Sequence, residues 1–481
     1  MNTATDTDQS AASAFGGMLA EPLDIVNIGV ESFGAPPAQA GATVTNLQWR
    51  PPAGGDDELG MKLAALTANP IIQKANDEAF EKMLSARAIL KDVVPAREAI
   101  DVLSEGKALL HAGPPIAFDD MAGPMKAGVI GAALLEGWAQ DEEDATRQAR
   151  EGKISLHQTH DHMAVGPMGG IISPSMPVMV VEDPVNGNTA FTNLNEGAGR
   201  ALRYGALGED VMKRLHWISE RLGPSLGAAI REAEEPIDLR SITAQALQMG
   251  DEVHSRNQAA STMTTRELAP GLARNADLGG IEALDFLRTN NYWFLNFSMV
   301  ASKLGTHAGH NVKHSTLMTT FSRNGVNVGI RVSGLGDQWF TSPAAEVEGL
   351  YFPGYGPEDA NPDIGDSAIT ETYGLGGFAL AAAPAIVGFV GGTVDSAIRT
   401  TEEMATITHG RHREYQIPTL NFKGSPVGVD IRKVVDSGVE PVITTGIAHK
   451  EPGIGQIGAG LTVAPLLCFT EALKALEIPE A

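Results

Sequence analysis

The sequence predicts a mixed α+β fold, with a small N-terminal α/β domain and a larger mixed domain that carries a helical insertion. Three observations predict it. A strand–crossover–strand pattern opens the chain over 23–52. Two Asn-Gly turns, Asn186-Gly187 and Asn324-Gly325, each join strand-like runs. Between those hairpins, from about 198 to 320, the apolar periodicity is helical.

The start, MNTATDTDQSAASAFGG, has neither the basic region nor the apolar core of a secretory signal, so residues 1–22 read as a disordered polar tail. LDIVNIGV (23–30) is a strand, ESFGAPPAQAG a turn with a short helix, and ATVTNLQWRPP (42–52) a second strand stopped by two prolines, which together make a βαβ unit. Residues 61–112 are rich in Ala, Leu, Lys and Glu and lack glycine until Gly106, which predicts helices. GVIGAALLEGWA (128–139) and QDEEDATRQAREG (140–152) are helical too, and the N-terminal domain is drawn as 23–150. The core domain is drawn as 151–197 plus 315–481. Its strands are ISLHQT (154–159), GGIISPSMPVMVVED (169–183), NTAFTNLNEG (188–197) and the hairpin STLMTTFSRNGVNVGIRVSG (315–334). The insertion, 198–314, has its clearest helix at 241–268. GLGGFALAAAPAIVGFVGG (374–392) carries no charge and approaches membrane-span length, but Pro384, six glycines and the lack of a basic flank favour a buried Gly/Ala-rich helix.

Composition excludes several classes. At 43% hydrophobic and 20% charged, the chain has matter for two or three cores. Its net charge of −24 and the lack of any Lys/Arg run exclude nucleic acid as a partner. An anion is bound only where a local site overrides that field. The single cysteine, Cys468, excludes an internal disulfide and thiolate metal clusters, and suits a cytoplasmic setting. No Walker A motif and no G-x-S-x-G elbow occur. The literal G-x-G-x-x-G at 453–458 is followed by only 23 residues, too few for a dinucleotide unit, so no cofactor is predicted.

Four stretches carry candidate chemistry. HQTHDHMAVGPMGG (157–170) places His157, His160 and His162 in an H-x2-H-x-H spacing before a glycine-rich turn. Two of them with a distant ligand suit zinc, the imidazoles suit proton transfer beside an N–H-rich loop, and a polar sheet edge needs neither. The metal reading is the weaker, because neither H-x-H-x-D-H nor H-E-x-x-H is present. MGDEVHSRNQ (249–258), read as helix, puts Asp251, His254 and Gln258 on one face, with Arg256 and Asn257 beside them; the alternative is a solvated face. ANPDIGDSAITETYGLGG (360–377) offers Asp363, Asp366 and Glu371 to a hard cation, and Gly374, Gly376 and Gly377 as an anion-binding helix start; the alternative is a capped acidic loop. TTGIAHKEPGIGQIGAG (444–460) sets His449 and Lys450 beside Gly453, Gly455 and Gly458, a cradle for a small anion. Arg323 and Arg331 flank the Asn324-Gly325 turn; they suit carboxylate recognition, and an exposed hairpin face is the simpler reading.

NIGVESFG…VTNLQWRPPAGGD, HMAVGPMGGIISPSMPV, LNEGAGRALRYGA, ALQMGDEVHSRN, GLYFPGYGPEDANPDIGDSAITETYGLGGFA and TTGIAHKEPGIGQIGAG together resemble a bacterial family. That family includes the YlbE/AllG-type, FdrA-associated subunit of oxamate carbamoyltransferase, and the resemblance covers roughly 23–470. It departs at Ser255 and around Met163 and Gly169. The resemblance implies carbamoyl transfer between oxalurate and phosphate, giving oxamate and carbamoyl phosphate in allantoin breakdown. It also implies FdrA-type and AllH-type partner subunits in an oligomeric complex. For that chemistry His160, His162 and His254, the last with Asp251, are the candidate proton donors, and Arg256, Arg323 or Arg331 would fix the carboxylate. A non-catalytic partner subunit and a metal-dependent amidohydrolase are the alternatives.

Overall fold

Two antiparallel hairpins and one buried helix frame the molecule, whose computed structural model describes residues 23–47, 50–197 and 199–480. The fold is mixed α+β, as the sequence predicts. The expected N-terminal tail lies outside the described residues.

The first hairpin pairs Pro177–Asp183 with Asn188–Asn193, in register from Val178↔Asn193 to Asp183↔Asn188. Asp183 closes its turn by accepting from Asn186 Nδ2 at 2.6 Å. This hairpin sits inside a five-stranded sheet with Ala164–Val165, Ile89–Pro95 and Ile237–Asp238. The second hairpin, Met318–Asn324 with Asn327–Val332, is shaped by Asn324, whose Oδ1 accepts from the backbone N–H of Val326 and Asn327. Phe340–Pro343 and the short Ile364–Gly365 extend it to four strands. A third sheet orders Glu348–Tyr351, Gln456–Val463 and Val442–Ala448.

The helix Phe294–Ala308 runs through the interior and packs on Asn188–Asn193 and on the helix Pro70–Ser85. Phe294, Phe297 and Leu304 are fully buried in the largest apolar cluster, each worth about 1.5–3 kcal/mol of burial. The same helix buries a lysine, Lys303, and so brings charge into the core.

The opening βαβ expectation holds: Asp24–Ile28 pairs in parallel with Thr43–Leu47. Within 61–112 the helices end early. Asp57–Ala68 and Pro70–Ser85 are helical, but Ile89–Pro95 and Ala108–His111 are strands. A short apolar run without glycine has no period long enough to separate the two states, and pairing with Pro177–Asp183 decides for Ile89–Pro95. The expected helix 241–268 is two helices, Leu239–Gln248 and Gln258–Arg274, because Gly250 (φ +96) and Val253 (φ +65) turn the chain out between them. The uncharged stretch 374–392 is buried up to Ala383, but its expected helix is broken into the 3-10 turns Gly376–Ala382 and Pro384–Ile386 and a short helix, Val387–Val390. Among the described residues no helix is long and apolar enough to cross a membrane.

Candidate active site

Five of the sequence stretches quoted above meet around one cleft of about 490 Å³. Pro167 and Met168 come from the turn after the histidines, Arg203 and Tyr204 from LNEGAGRALRYGA, and His254 and Ser255 from MGDEVHSRNQ. Ser367 comes from the acidic loop, and Thr445, Gly455 and Gln456 from the last glycine-rich segment. In a chain of net charge −24, no Asp or Glu stands among the cleft's described lining residues, whereas Arg200, Arg203 and His254 do. Each of these groups has an acid behind the lining, Arg200 with Asp210 at 3.3 Å, Arg203 with Glu196 at 4.0 Å and His254 with Glu371 at 2.8 Å, so the basic side chains face the cleft and the carboxylates stand away from it.

His254 is the one histidine on the cleft's described lining. Its Nδ1 lies 2.8 and 3.0 Å from the two carboxylate oxygens of Glu371. That pairing fixes Nδ1–H as the donor and leaves Nε2 for the cleft, the arrangement that lets an imidazole accept or return a proton. Glu371 is itself held by the backbone N–H of Gly377 at 3.0 Å, that of Thr444 at 3.1 Å, and the Thr370 hydroxyl at 2.9 Å. Gly376 (φ +55) is a glycine because a Cβ there would lie 1.9 Å from Glu371 Oε1. The glycines expected to cradle a ligand thus cradle a carboxylate of the protein: Gly377 N–H serves Glu371, Gly376 N–H the Glu252 carbonyl, and Gly374 N–H the Glu371 carbonyl.

The other polar groups of 249–257 build the loop that presents His254. Asp251, His254 and Gln258 share no helix face, because the segment is a loop. Glu252 accepts from the N–H of Ser255 and Arg256, and from the Thr444 hydroxyl at 3.1 Å. Burial raises its pKa. Asn257 donates to the His254 carbonyl at 2.6 Å, and Arg256 Nε to the Gly250 carbonyl at 3.0 Å. Asp251 accepts from Ala260 N–H at 3.0 Å, within the first turn of the helix Gln258–Arg274.

Burial pushes Asp251 up from 3.8 to about 6. With a folded pKa above the unfolded one, the folded chain holds an extra proton between those values. The stability this group contributes is complete below the unfolded pKa and is lost as pH rises through about 6. Asp251→Asn keeps an acceptor for Ala260. Its stability relative to wild type is expected to rise by up to about 3 kcal/mol between acid and neutral pH. Urea midpoints across that range measure it, and a flat difference would contradict the assignment.

The remaining predicted residues lie elsewhere. Arg323 and Asp363 are buried and pair through both guanidinium and carboxylate edges, at 2.6 and 2.8 Å, and Arg323 also binds the Gly365 carbonyl at 2.7 Å. Neither lines the cleft. Asp366 accepts from Gly113 N–H, Gly166 N–H and the hydroxyls of Thr159 and Ser322. Burial opposes its charge, but those donors, with His160 Nε2 at 3.4 Å, hold it below the usual carboxylate range. Asp363, Asp366 and Glu371 therefore face three different sets of partners instead of a common cation. The expected strand end at the histidines is a 3-10 turn, Thr159–His162. His160 is buried behind the cleft and its pKa is lowered by that burial. His162 packs edge-on against His157 at 5.3 Å. Among the described residues no three His, Cys, Asp or Glu side chains gather so as to hold a metal. Arg331 pairs with Asp161. His449 Nδ1 accepts from Glu451 N–H at 2.9 Å, and Lys450 Nζ donates to the Glu358 carbonyl. Of the last cradle only Gly455 reaches the cleft; Gly453 N–H binds the Tyr204 carbonyl at 2.8 Å, and Gly458 lies in the strand Gln456–Val463, pressed against Leu350.

Sequence reasoning missed Arg203. Its Nη2 donates to the Gly197 carbonyl at 2.8 Å, while its buried Nη1 has no hydrogen-bond partner among the described residues and meets Glu196 only at ion-pair distance, 4.0 Å. Glu196 positions it by accepting from the backbone N–H of Leu202 and Arg203. The signal was present in NEGAGRALRYG, an arginine-bearing loop with two glycines at positive φ, Gly197 and Gly199.

The same segments are shared with known proteins. Residues 154–367 match the family model described as oxamate carbamoyltransferase subunit AllG. A protein of that name from Escherichia coli (strain K12) is 49% identical over 408 residues, 84% of this chain and 97% of the relative. The chain belongs to the AllG family. A second family relative in the same organism, named uncharacterized protein YahG, is 42% identical over 463 residues, 95% of this chain and 97% of its own length. A crystal structure of a conserved protein of unknown function from Enterococcus faecalis V583 superposes with a TM-score of 0.82 at 48% identity, covering 84% of this chain and 97% of that one.

Proposed function

We propose that this AllG-family chain is a carbamoyltransferase subunit whose cleft binds a small carbamoyl-bearing anion. The reaction is the exchange of a carbamoyl group between oxalurate and phosphate, giving oxamate and carbamoyl phosphate. The observation that carries this reading is a cleft with no Asp or Glu on its described lining, where Arg203 Nη1, without a hydrogen bond and only 4.0 Å from Glu196, shares the lining with the His254 of the His254–Glu371 pair. Attack of a phosphate oxygen on the carbamoyl carbon breaks the bond to the oxamate nitrogen, which must leave protonated. His254, charged through Nε2 and steadied by Glu371, supplies that proton and takes it back in the reverse direction. The Arg203 guanidinium suits the substrate carboxylate or phosphate. The name of the 49% identical relative, an oxamate carbamoyltransferase subunit, supports carbamoyl transfer involving oxamate. FdrA-type and AllH-type subunits are the proposed partners.

Carbamoyl phosphate consumption with oxamate as acceptor tests the reading, first with the chain alone and then with those two subunits. Transfer that depends on this chain supports it; no transfer in either setting refutes it. Arg203→Met is expected to raise KM for the anionic substrate about tenfold or more, by removing a charge-assisted bond, with a smaller change in kcat. An unchanged KM would remove Arg203 from substrate binding.

A further inference from the structure

Behind the cleft wall lies a second group of side chains that the transfer reaction does not use. Lys303 is 3% exposed, and its ammonium meets the His160 carbonyl at 3.3 Å. Arg331, also buried, lies with its Cζ 4.3 Å above the Trp339 ring. The His160 ring meets the same indole edge-on, 6.1 Å between centroids. Arg331 Nε, Trp339 Nε1 and His160 Nδ1 are all buried and have no hydrogen-bond partner among the described residues; His160 Nε2 has none either but lies 3.4 Å from Asp366. Buried polar groups are nearly always paired, so three unpaired nitrogens around one indole call for an explanation.

Donors and acceptors here are out of balance. Arg331 Nε and Trp339 Nε1 can only donate, and a protonated Lys303 has donors to spare. The acceptors nearby are engaged. Asp366 takes four donors, Asp161 takes Arg331 Nη2, and Asp337 takes His310 Nε2 at 3.2 Å. What completes such a group is a ligand that only accepts.

We infer that Lys303, Arg331, Trp339 and His160 form a binding site for a small oxyanion, separate from the cleft and joined to its wall through the Asp366–Ser367 turn. The charged groups around it permit this. Asp161 and Asp337 are 37% and 78% exposed, so water screens them. Asp366 keeps its charge, but its oxygens are held by four donors and face the far ring nitrogen of His160, Nε2, at 3.4 Å. His307 and His310, one and two turns along the lysine's own helix and just past its end, are pushed down by burial and are neutral near pH 7. Arg331 is already paired with Asp161 and Asp337, so Lys303, with no carboxylate at ion-pair distance among the described residues, is the cation left for the anion. Burial pulls Lys303 down to about 7, and an anion beside it reverses that shift, so binding takes up a proton. Affinity is expected to fall about tenfold from pH 6 to pH 8, as the protonated fraction of the unliganded lysine falls to about one-tenth.

Calorimetric titration with inorganic phosphate and with formate, against chloride at equal ionic strength, tests the site. The wild-type chain is expected to bind two equivalents of at least one of these oxyanions, and Arg203→Met, which disables the cleft, to keep one. Added to that variant, Lys303→Met or the shape-preserving Trp339→Phe is expected to weaken the remaining binding about tenfold or more. If Arg203→Met binds neither anion, or if Lys303→Met and Trp339→Phe leave its binding unchanged, the inner site does not exist. Either result would leave the cleft reading standing. Loss of the inner equivalent alone in Lys303→Met would support the inner site even if the cleft bound nothing.

Discussion

Replacing His254 with Gln is expected to lower kcat for carbamoyl transfer by about 10²–10⁴-fold in the assembled enzyme, the usual worth of a positioned general acid–base. The substitution keeps a polar side chain in the loop 249–257 and removes the group that changes protonation state. Because the anion is held by arginine, the binding constant for oxamate measured by titration is expected to change little. That split between kcat and affinity separates a proton-transfer role from an anion-binding one. Gly376→Ala approaches the same centre from its support. A Cβ 1.9 Å from Glu371 Oε1 drives the carboxylate away from His254 Nδ1, so this variant is expected to lose activity with the imidazole still present. Full activity in His254→Gln would remove the residue from the mechanism. Full activity in Gly376→Ala alone would show that Glu371 does not orient it.

The segments singled out in the sequence meet at the cleft, but of their candidate side chains and glycines only His254 and Gly455 line it. Hairpins were legible because their signal is local: Asn324 bonds its own turn, and Asp183 closes the other. The density of functional groups in MGDEVHSRNQ marked a segment that reaches the cleft, but its use differs from its appearance. Asp251, Glu252, Arg256 and Asn257 are occupied with backbone, and the loop they build presents one imidazole. A helical period was read where Gly250 and Val253 hold positive φ, which no periodicity rule detects for valine. The partner of His254 lies 117 positions away, so the pairing was invisible without the fold. The same holds for the inner group, where Lys303, on a helix that looked ordinary, meets the His160 carbonyl across 143 positions. Arg203 escaped because arginine beside glycine is common on surfaces. Only the missing hydrogen bond at Nη1 and a described lining without Asp or Glu distinguish it.

Arg323 was a candidate for a substrate carboxylate and Asp363 for a hard cation, and the structure makes them a buried pair whose removal has the largest expected effect on stability. Asp363→Ala leaves the Arg323 guanidinium, 1% exposed, with carbonyl and hydroxyl partners but no counter-charge. Stranding one member of a buried ion pair costs about 3–5 kcal/mol, because the remaining charge has already lost its water. Urea unfolding of Asp363→Ala is expected to show a loss of that size. The double replacement Arg323→Met with Asp363→Leu removes both charges and fills similar volume, so it is expected to recover much of the loss. A substrate-binding arginine predicts the opposite pattern: stability within about 0.5 kcal/mol of wild type, and a raised KM in the folded enzyme. The pair sits at the second hairpin and the Ile364–Gly365 strand, and Thr445, which lines the cleft, donates to Asp363 at 2.9 Å. Its loss therefore loosens the cleft wall as well as the core. Activity in Asp363→Ala is expected to fall with the folded fraction, and to return in the double variant if the wall closes again without the charges.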